Sequence, residues 1–278
     1  MALVQTGTFE TRVNGPKNNC LILGAGRSGT SLTAHLLHGA GYHVCRTQQP
    51  PPDEGNPLGY FEDLEVVQTN EAILVPFYGS KWRRLLRAVR RKPNIVGLGA
   101  WLLDLDPSLL KAVRLRSAGA DKFRDLFTRT PFAYKDPRFS FTLGVLAQII
   151  PTNTAYLCVF RHPLHVVEST IKQALRGRVM VDDAYCLALW EAHYGCLLQH
   201  YNQIGGQWLF VSYEQMMNGE AVARIEEFLG VRLDRRIRKP ELMRTHTAGR
   251  LSGRIAEIYD RLNALEEASF SLKPVLQP

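Results

Sequence analysis

A glycine-rich segment near the amino terminus contains the residue types that bind phosphate. Residues 20–32 read CLILGAGRSGTSL, with Gly24, Gly26 and Gly29 following an apolar run. Glycines let backbone N–H groups approach an anion, and the amino terminus of a following helix adds partial positive charge. The segment therefore predicts an anion site that three phosphate-binding chemistries could use. A tight strand-to-helix turn without a ligand is the alternative.

The first interpretation is the dinucleotide fingerprint G-x-G-x-x-G. It requires an acidic residue about 20 positions later, at the end of the second strand, to hold the ribose hydroxyls. Residues 42–47 occupy that place and contain Arg46 instead of an acid. Because arginine suits the 2′-phosphate of NADP, an NADP-linked oxidoreductase stays open as an alternative function.

The second interpretation is an ATP-type phosphate loop, which Gly24 and Gly29 match in their spacing. Such a loop needs a lysine directly after Gly29 to reach the β- and γ-phosphates. Thr30 stands there, which disfavours triphosphate chemistry. Asp136 could still imitate the magnesium-binding carboxylate, since it follows a short strand predicted over 132–134.

The third interpretation uses Arg27 as the cation that meets the 5′ end of a nucleotide. Arg27-Ser28-Gly29-Thr30 resembles the 5′-phosphosulfate loop of sulfotransferases that use PAPS (3′-phosphoadenosine 5′-phosphosulfate). The likeness is to the arginine variant of tyrosylprotein and several bacterial sulfotransferases. It implies that the backbone amides of residues 28–31 and the hydroxyls of Thr30 and Ser31 surround the 5′-phosphosulfate. Six loop residues are thereby implied to bind the donor, with Arg27 also catalytic: Gly26, Arg27, Ser28, Gly29, Thr30 and Ser31.

A second stretch resembles the 3′-phosphate site of the same family. Phe160-Arg161-His162-Pro163 follows an apolar run, and Ser169 comes eight residues after Arg161. Arginine offers phosphate a planar, permanently charged fork, and a serine in the following helix adds a hydroxyl donor. We expect Arg161 and Ser169 to bind the 3′-phosphate; a surface ion pair and a surface serine are the alternative.

A third stretch, Tyr134-Lys135-Asp136-Pro137-Arg138, is similar to the Lys-Asp-Pro segment of the family. The resemblance implies that Lys135 lies near the transferred sulfuryl group, where a mobile ammonium would stabilise charge on the leaving oxygen. Asp136 and Arg138 are expected to be structural and to orient Lys135 through an ion pair.

The general base is expected among the glutamates before and within residues 56–62, NPLGYFE. That segment resembles an Asn-Pro-x-Gly-Tyr-(Phe or Trp)-Glu motif of bacterial members, which makes Glu62 the first candidate and Glu54 the second. The tyrosylprotein pattern has its glutamate closer to the loop, where this chain has Thr47, Gln48 and Gln49. Alternatively, Glu62 is a carboxylate placed at a helix amino terminus.

Together with residues 211–214, VSYE, the resemblance extends from about 19 to 229. It implies in-line attack of an acceptor hydroxyl or amine on PAPS, release of 3′,5′-ADP and no metal requirement. The acceptor would be a small molecule, a carbohydrate, a lipid or a carrier-bound group. A non-catalytic module that binds anions or nucleic acid is the remaining alternative, although nucleic acid is not the expected partner.

Composition limits the class of protein. The chain has 278 residues, 45% of them hydrophobic and 22% charged, and a formal net charge of +8 that favours anionic partners. Five cysteines without metal-ligand spacing indicate reduced thiols, so we expect a cytoplasmic protein. Neither a secretory leader nor an apolar run of about 18 residues is apparent, which argues against a membrane span.

The elements that must position these residues alternate between strands and helices. Apolar runs predict strands over 20–23, 132–134, 155–160 and 208–212, and helical periodicity predicts helices over 30–40, 164–175, 187–201 and 221–229. This alternation predicts an α/β fold with a P-loop-like parallel sheet flanked by helices. Ligands then bind at the carboxyl ends of the strands.

We expect a single domain over 1–278. Residues 19–77 would form the 5′-phosphosulfate loop and the first part of the sheet, 78–130 a helical insertion, 131–230 the 3′-phosphate site and the rest of the sheet, and 231–278 a helical carboxyl-terminal region.

A basic segment and a pair of aromatic residues show helical spacing of their apolar side chains. Lys81 to Lys92 forms a basic amphipathic helix that could face solvent, an acidic acceptor, a carrier protein or a membrane surface. Trp190 and Tyr194, at helical spacing, are expected in the core. Nothing in the sequence specifies an oligomeric state.

Overall fold

A computed structural model describes residues 18–46, 48–49, 52, 56, 59–74, 117–176, 181–237 and 249–271. Its centre is a four-stranded sheet in the order β4-β1-β5-β6. All three neighbouring pairs in this sheet are parallel. The strands are β1 (Asn19–Leu23), β4 (Ala133–Lys135), β5 (Thr154–Phe160) and β6 (Trp208–Ser212).

A second, antiparallel pair of short strands accompanies this sheet: β2 (Gln48–Gln49) and β3 (Glu62–Asp63). Nine helices occur in the described part of the chain: α1 (Thr30–Gly39), α2 (Leu64–Leu74), α3 (Ser117–Leu126), α4 (Phe139–Leu146), α5 (Pro163–Arg176), α6 (Asp183–Gln203), α7 (Tyr213–Asn218), α8 (Glu220–Leu229) and α9 (Gly253–Ser271). None of these helices is long and apolar enough to cross a bilayer.

The central strands are buried on both faces, which explains their continuous apolar sequences. Along β1, Leu21 and Leu23 join a core that includes Trp190 and Tyr194 of α6. Cys20 and Ile22 point to the opposite core, which α1 and α8 cover. The fold is therefore α/β, with a parallel sheet between two helical layers, as the sequence predicts.

The strand order contradicts the dinucleotide interpretation. In that fold the strand after the first helix lies beside the first strand. Here the neighbours of β1 are β4 and β5, and residues 42–46 contribute only an isolated bridge from His43 to Phe132. Residues 42–46 therefore lie beside the start of β4, on the side away from β1. Arg46 is consequently not at the end of a second strand next to the glycine loop.

Parallel strands bring the candidate residues to one edge of the sheet. The register aligns Ile22 with Lys135, Leu23 with Cys158, and Phe160 with Ser212. The glycine loop after β1, Lys135 at the end of β4 and Arg161 after β5 consequently lie at the carboxyl edge, where α/β proteins bind ligands.

Most element predictions within the described residues are confirmed. Strand β6 has the predicted bounds, β1 and β5 each begin one residue earlier, and β4 is shifted by one residue. Leu175 of α5 departs from the predicted pattern. The helical periodicity places it on the apolar stripe, but it is 55% exposed. Glu54, the segment from Lys81 to Lys92 and most of the predicted insertion lie outside the described residues.

Candidate active site

The loop between β1 and α1 has a backbone that glycine makes possible. Gly24 and Gly29 have φ values of 141° and 96°. A Cβ at Gly24 would lie 2.2 Å from the carbonyl oxygen of Val159, so the loop passes directly against β5. A Cβ at Gly26 would meet no described atom within 4 Å. The loop is thus closed towards the sheet and open on the side of Gly26.

The amino terminus of α1 is arranged to receive an anion. Gly29 is its capping residue and has no side chain that could accept from the N–H groups of the first turn. The first turn contains no acidic residue. By contrast, Asp182 caps α6 through the Tyr185 N–H at 2.8 Å. An anion at α1 would therefore supply the negative charge that a capping side chain supplies elsewhere.

Ser28 faces the core and not the open side of the loop. It is fully buried, and its Oγ lies 2.8 Å from the Tyr194 hydroxyl. The same hydroxyl accepts from the Ala25 N–H at 3.3 Å and lies 2.9 Å from the carbonyl oxygen of Val159. Ser28 can therefore contribute its backbone amide to an anion, but its hydroxyl holds the loop to Tyr194.

The loop arginine and the expected 3′-phosphate residues are in contact. Arg27 has a left-handed backbone with φ 68°. Its Nε donates to Ser169 Oγ at 3.0 Å. Arg161 donates from Nη1 to the backbone carbonyl of Arg27 at 3.4 Å. The structure thus brings together three residues that are separated by up to 142 positions in sequence.

Aromatic side chains support Arg161, which is only 6% exposed. Its guanidinium carbon lies 4.1 Å from the centre of the Tyr213 ring, a cation–π contact. Trp190 Nε1 donates to the Arg161 carbonyl at 3.2 Å. Burial lowers the pKa of Arg161; Tyr213 and Glu214 oppose this effect, and the charge of Arg27 adds to it. A buried guanidinium near a second one favours an anionic ligand.

A carboxylate–ammonium pair lies at the end of β4, the strand that pairs with β1. Lys135 Nζ donates to Glu62 Oε1 at 2.5 Å, and the two side chains are 3% and 14% exposed. Burial raises the pKa of Glu62, although the neighbouring Lys135 acts against the rise. The pair combines a carboxylate whose affinity for a proton is increased by burial with a cation in direct contact with it.

Asp63, and not Glu62, stabilises the amino terminus of α2. Asp63 Oδ1 accepts from the N–H groups of Glu65 at 2.9 Å and Val66 at 3.3 Å. Its Oδ2 accepts from the Arg46 N–H at 2.7 Å. Because the capping role is already filled by Asp63, the interpretation of Glu62 as a helix-terminal carboxylate is not needed.

The residue before Glu62 has a constrained backbone. Phe61 has φ 54°, and its ring stacks on His35 of α1 with centroids 4.8 Å apart. Phe61 and Arg27 are the two non-glycine residues with positive φ in the described ranges. Such conformations are unfavourable and often occur at functional sites, and here one belongs to the loop and the other precedes the carboxylate.

Asp136 is held away from Lys135. Its Oδ1 accepts from both the backbone N–H and Nη1 of Arg138 at 2.9 Å, and its Oδ2 accepts from Asn70 at 3.1 Å. The expectation that an ion pair with Asp136 or Arg138 orients Lys135 is therefore wrong, because Glu62 is the partner of Lys135. The buried contacts of Asp136 give it a structural role and disfavour its use as a magnesium-binding carboxylate.

Three residues complete the site without having been predicted as part of it. Tyr194 and Trp190 are buried in the core as expected, but their polar atoms also fix the glycine loop and Arg161. Tyr213 lies between the loop and Arg161, since a Cβ at Gly29 would be 2.7 Å from its ring. The sequence did contain a signal for Tyr194 and Trp190. Each carries a polar group within an apolar helical stripe, and such a group usually has a hydrogen-bond partner when it is buried.

Comparison with known proteins identifies the family. The model of the sulfotransferase family matches residues 20–235. This match spans more than three quarters of the chain and includes the loop, Glu62, Lys135, Arg161 and Ser169. The chain belongs to the sulfotransferase family and is a transferase. A search of curated proteins found no match.

Solved structures of bacterial sulfotransferases are similar at low sequence identity. The sulfotransferase domain from the curacin biosynthetic pathway is 14% identical with a TM-score of 0.48, over 89% of this chain and 98% of that one. The domain from the Synechococcus PCC 7002 olefin synthase is 20% identical with a TM-score of 0.41, over 94% and 90%. A Mycobacterium avium sulfotransferase is 16% identical with a TM-score of 0.43, over 90% and 69%.

Proposed function

We propose that this protein transfers a sulfuryl group from PAPS to a hydroxyl or amine of an acceptor and releases 3′,5′-ADP. The observation that carries the proposal is the largely buried Glu62–Lys135 pair, whose lysine is on the strand next to β1, in register with Ile22, two residues before the glycine loop. A base and a cation next to an anion site are the groups that in-line transfer between oxygen atoms requires.

The polar groups at the carboxyl edge fit a donor with phosphates at both ends of its ribose. The uncapped amino terminus of α1 would bind the 5′ end through backbone amides. Arg161 and Ser169 would bind the 3′-phosphate. The repulsion between Arg161 and Arg27, which contributes to the lowered pKa of Arg161, would decrease when an anion binds between them.

Glu62 is proposed as the general base and Lys135 as the cation near the leaving oxygen. Bound PAPS would supply the sulfuryl group, whose bond to the 5′-phosphate oxygen breaks as the acceptor oxygen or nitrogen bonds to sulfur. Glu62 takes the acceptor proton, and its raised pKa strengthens it as a base at neutral pH. Lys135 stabilises negative charge on the departing 5′-phosphate oxygen.

The short antiparallel pair of strands supports the choice of Glu62. The register places Glu62 directly opposite Gln49, one of the positions where the tyrosylprotein pattern has its glutamate. A carboxylate from β3 would then occupy the region that a carboxylate from the preceding strand occupies in those enzymes. The bacterial and tyrosylprotein motifs would then place a carboxylate in the same region from two neighbouring strands.

Calorimetric titration tests the donor directly. The expected order of affinity is 3′,5′-ADP first, then 5′-AMP, with ATP plus magnesium and NADPH weaker. Loss of the 3′-phosphate should weaken binding by about 2 kcal/mol, the range of hydrogen bonds to charged groups. Tighter binding of ATP or NADPH than of 3′,5′-ADP would refute PAPS as the donor.

A further inference from the structure

We propose that Tyr60 and Phe61 are positioning residues that fix the Glu62 carboxylate relative to the bound donor. They do so by contacting the two helices, α1 and α5, that flank the nucleotide site. This inference rests on the proposed function, because it concerns the base of the same reaction. It assigns a task to two buried aromatic side chains to which neither nucleotide binding nor proton transfer has been assigned.

Tyr60 contacts α5. The side-chain amide of Gln173 donates to the Tyr60 hydroxyl oxygen at 3.0 Å, and Tyr60 is only 9% exposed. Gln173 is four residues after Ser169 on α5, so the two side chains are neighbours on one face of this helix. Tyr60 is therefore hydrogen-bonded to the same face of α5 that carries a residue assigned to the 3′-phosphate.

Phe61 contacts α1. Its ring stacks on His35 with an interplanar angle of 19° and lies 6.1 Å from the ring of His38, which is one turn further along the helix. Burial lowers the pKa of His35, and the charge of His38 adds to this effect, so the His35 ring is uncharged at neutral pH. Because α1 begins directly after Gly29, Phe61 is fixed to the helix whose amino terminus would receive the 5′ end.

The left-handed backbone of Phe61 gives three consecutive side chains three different directions. An extended strand alternates its side chains between two faces only. Here Tyr60 contacts α5, Phe61 contacts α1 and Glu62 contacts Lys135 of β4. A positive φ at a bulky residue is unfavourable and persists only where the surroundings hold it. The two aromatic contacts supply such surroundings immediately before the carboxylate.

Asp63 fixes the chain on the other side of Glu62. It is 1% exposed and caps α2 through the N–H groups of Glu65 and Val66. The carboxylate is thus held between a capping residue and two aromatic residues. A general base acts only within hydrogen-bond reach of its proton, and a displacement of about 1 Å can cost about 10²-fold in rate. Contacts to α1 and α5 would fix the distance between this base and the donor.

The first test compares Tyr60→Phe with Phe61→Gly. The former removes only the hydroxyl, and the latter removes the ring while suiting a positive φ. The rate is kcat for turnover of PAPS with the best acceptor from a panel of simple alcohols, phenols and amines. We expect kcat to fall about tenfold in Tyr60→Phe and about 10²-fold in Phe61→Gly. The calorimetric dissociation constant of 3′,5′-ADP should change by less than about twofold.

The decisive measurement repeats both substitutions in the Glu62→Gln background. A residue that acts by positioning Glu62 has nothing to position once the base is lost. We therefore expect each substitution to change the residual rate by less than about twofold in that background, so that the effects are strongly non-additive. A general disturbance of the site would lower the rate by the same factor in both backgrounds.

Substitutions of His35 test the stacking from the side of α1. His35→Phe keeps an aromatic ring against Phe61 and should retain the rate within about threefold, whereas His35→Ala should lower it about tenfold. Tyr201→Phe, which removes a hydroxyl on α6, is the control for Tyr60→Phe and should retain the parent rate. Chemical denaturation shows which variants fold. If Phe61→Gly does not fold, Tyr60→Phe and the two His35 variants decide the outcome.

The outcomes that overturn the inference are distinguishable from failure of the proposed function. If the parent protein sulfates an acceptor and the Tyr60, Phe61 and His35 variants keep its rate, or lose it equally in the Glu62→Gln background, the inference is wrong and the proposed function stands. If Glu62→Gln itself keeps the parent rate, the inference fails with the assignment of the base. If the parent protein turns over PAPS with no acceptor of the panel, the proposed function fails as well.

Discussion

The two halves of the site differ in how their charges are held. On the nucleotide side, Arg27 and Arg161 carry permanent charges, and their contacts include Ser169 Oγ, a backbone carbonyl and the Tyr213 ring. On the other side, the charge of Lys135 is matched by Glu62 at 2.5 Å. Two neighbouring guanidinium groups suit the binding of an anion, whereas a titratable carboxylate–ammonium pair suits the movement of a proton.

This difference means that binding and chemistry should be separable by mutation. The nucleotide half follows β1 and β5, and the Glu62–Lys135 pair joins β3 to β4. Variants of one half should change affinity with little effect on proton transfer, and variants of the other should do the reverse. The following predictions test this separation.

The largest expected effect is that of Glu62→Gln. Loss of the general base should reduce transfer from PAPS by about 10²- to 10⁴-fold, while the affinity for 3′,5′-ADP changes by less than about twofold. Glutamine keeps an oxygen that can accept from Lys135. The measurement is the initial rate of 3′,5′-ADP release together with calorimetry.

Glu65→Gln is the matched control for this variant. Glu65 is three residues further along the chain, and its exposed carboxylate pairs with the half-buried Arg129 at 2.6 Å, so its loss should leave both rate and affinity near those of the parent. If Glu62→Gln keeps the parent rate, the base lies elsewhere, and Glu54 becomes the next candidate.

Arg161→Ala should have the next largest effect, a loss of affinity for 3′,5′-ADP. It removes charged hydrogen bonds to the 3′-phosphate, so 3′,5′-ADP should bind about 10- to 30-fold more weakly, which is most of the roughly 2 kcal/mol expected for that phosphate. Binding of 5′-AMP should change much less. Titration of both nucleotides against this variant and against Arg176→Ala provides the comparison; unchanged 3′,5′-ADP binding would remove the assignment of the 3′ site.

Tyr194→Phe should weaken the nucleotide half through the loop. The variant keeps the ring but leaves the Ala25 N–H, Ser28 Oγ and Val159 carbonyl without their shared hydroxyl. We expect a loss of about 1–3 kcal/mol in the free energy of unfolding and weaker nucleotide binding. Chemical denaturation measures the first quantity. Tyr201→Phe on the same helix should have little effect, and equal stabilities of the two variants would contradict the role of Tyr194.

The smallest effect concerns the pH dependence of the chemical half. Glu62 must be ionised to act as a base, so the rate should fall as the pH decreases through its raised pKa. Lys135 lowers this pKa, and its removal in Lys135→Met should therefore move the acid limb of the residual activity to higher pH. Lys135→Arg retains the charge and should move it less. An acid limb that shifts to lower pH in Lys135→Met would contradict the inference that Lys135 lowers the pKa of Glu62.

Local patterns predicted the nucleotide half better than the chemical half. Continuous apolar runs set the bounds of β1, β5 and β6, and parallel pairing then brought the loop and Arg161 to one edge. Lys135 and Glu62 were each proposed from motifs, but their contact spans 73 residues and depends on the small β2–β3 pair. No periodicity in the sequence specifies such a pairing.

The two contacts that fix the glycine loop, which sequence reasoning missed, are long-range side-chain contacts. The hydroxyl of Tyr194 reaches Ser28 across 166 residues, and Arg27 reaches Ser169 across 142. Ser28 illustrates the reason, because its side chain is buried against Tyr194, a distant residue that no pattern within the loop could indicate.

The most direct test of the central claim is turnover of PAPS by the parent protein with a panel of simple alcohols, phenols and amines. Mass spectrometry would quantify 3′,5′-ADP and the sulfated acceptor. We predict that both products form in equal amounts with at least one acceptor class. If 3′,5′-ADP binds tightly but no acceptor increases its release from PAPS above a protein-free control, the site binds the nucleotide without catalysing transfer, and the proposed function is wrong.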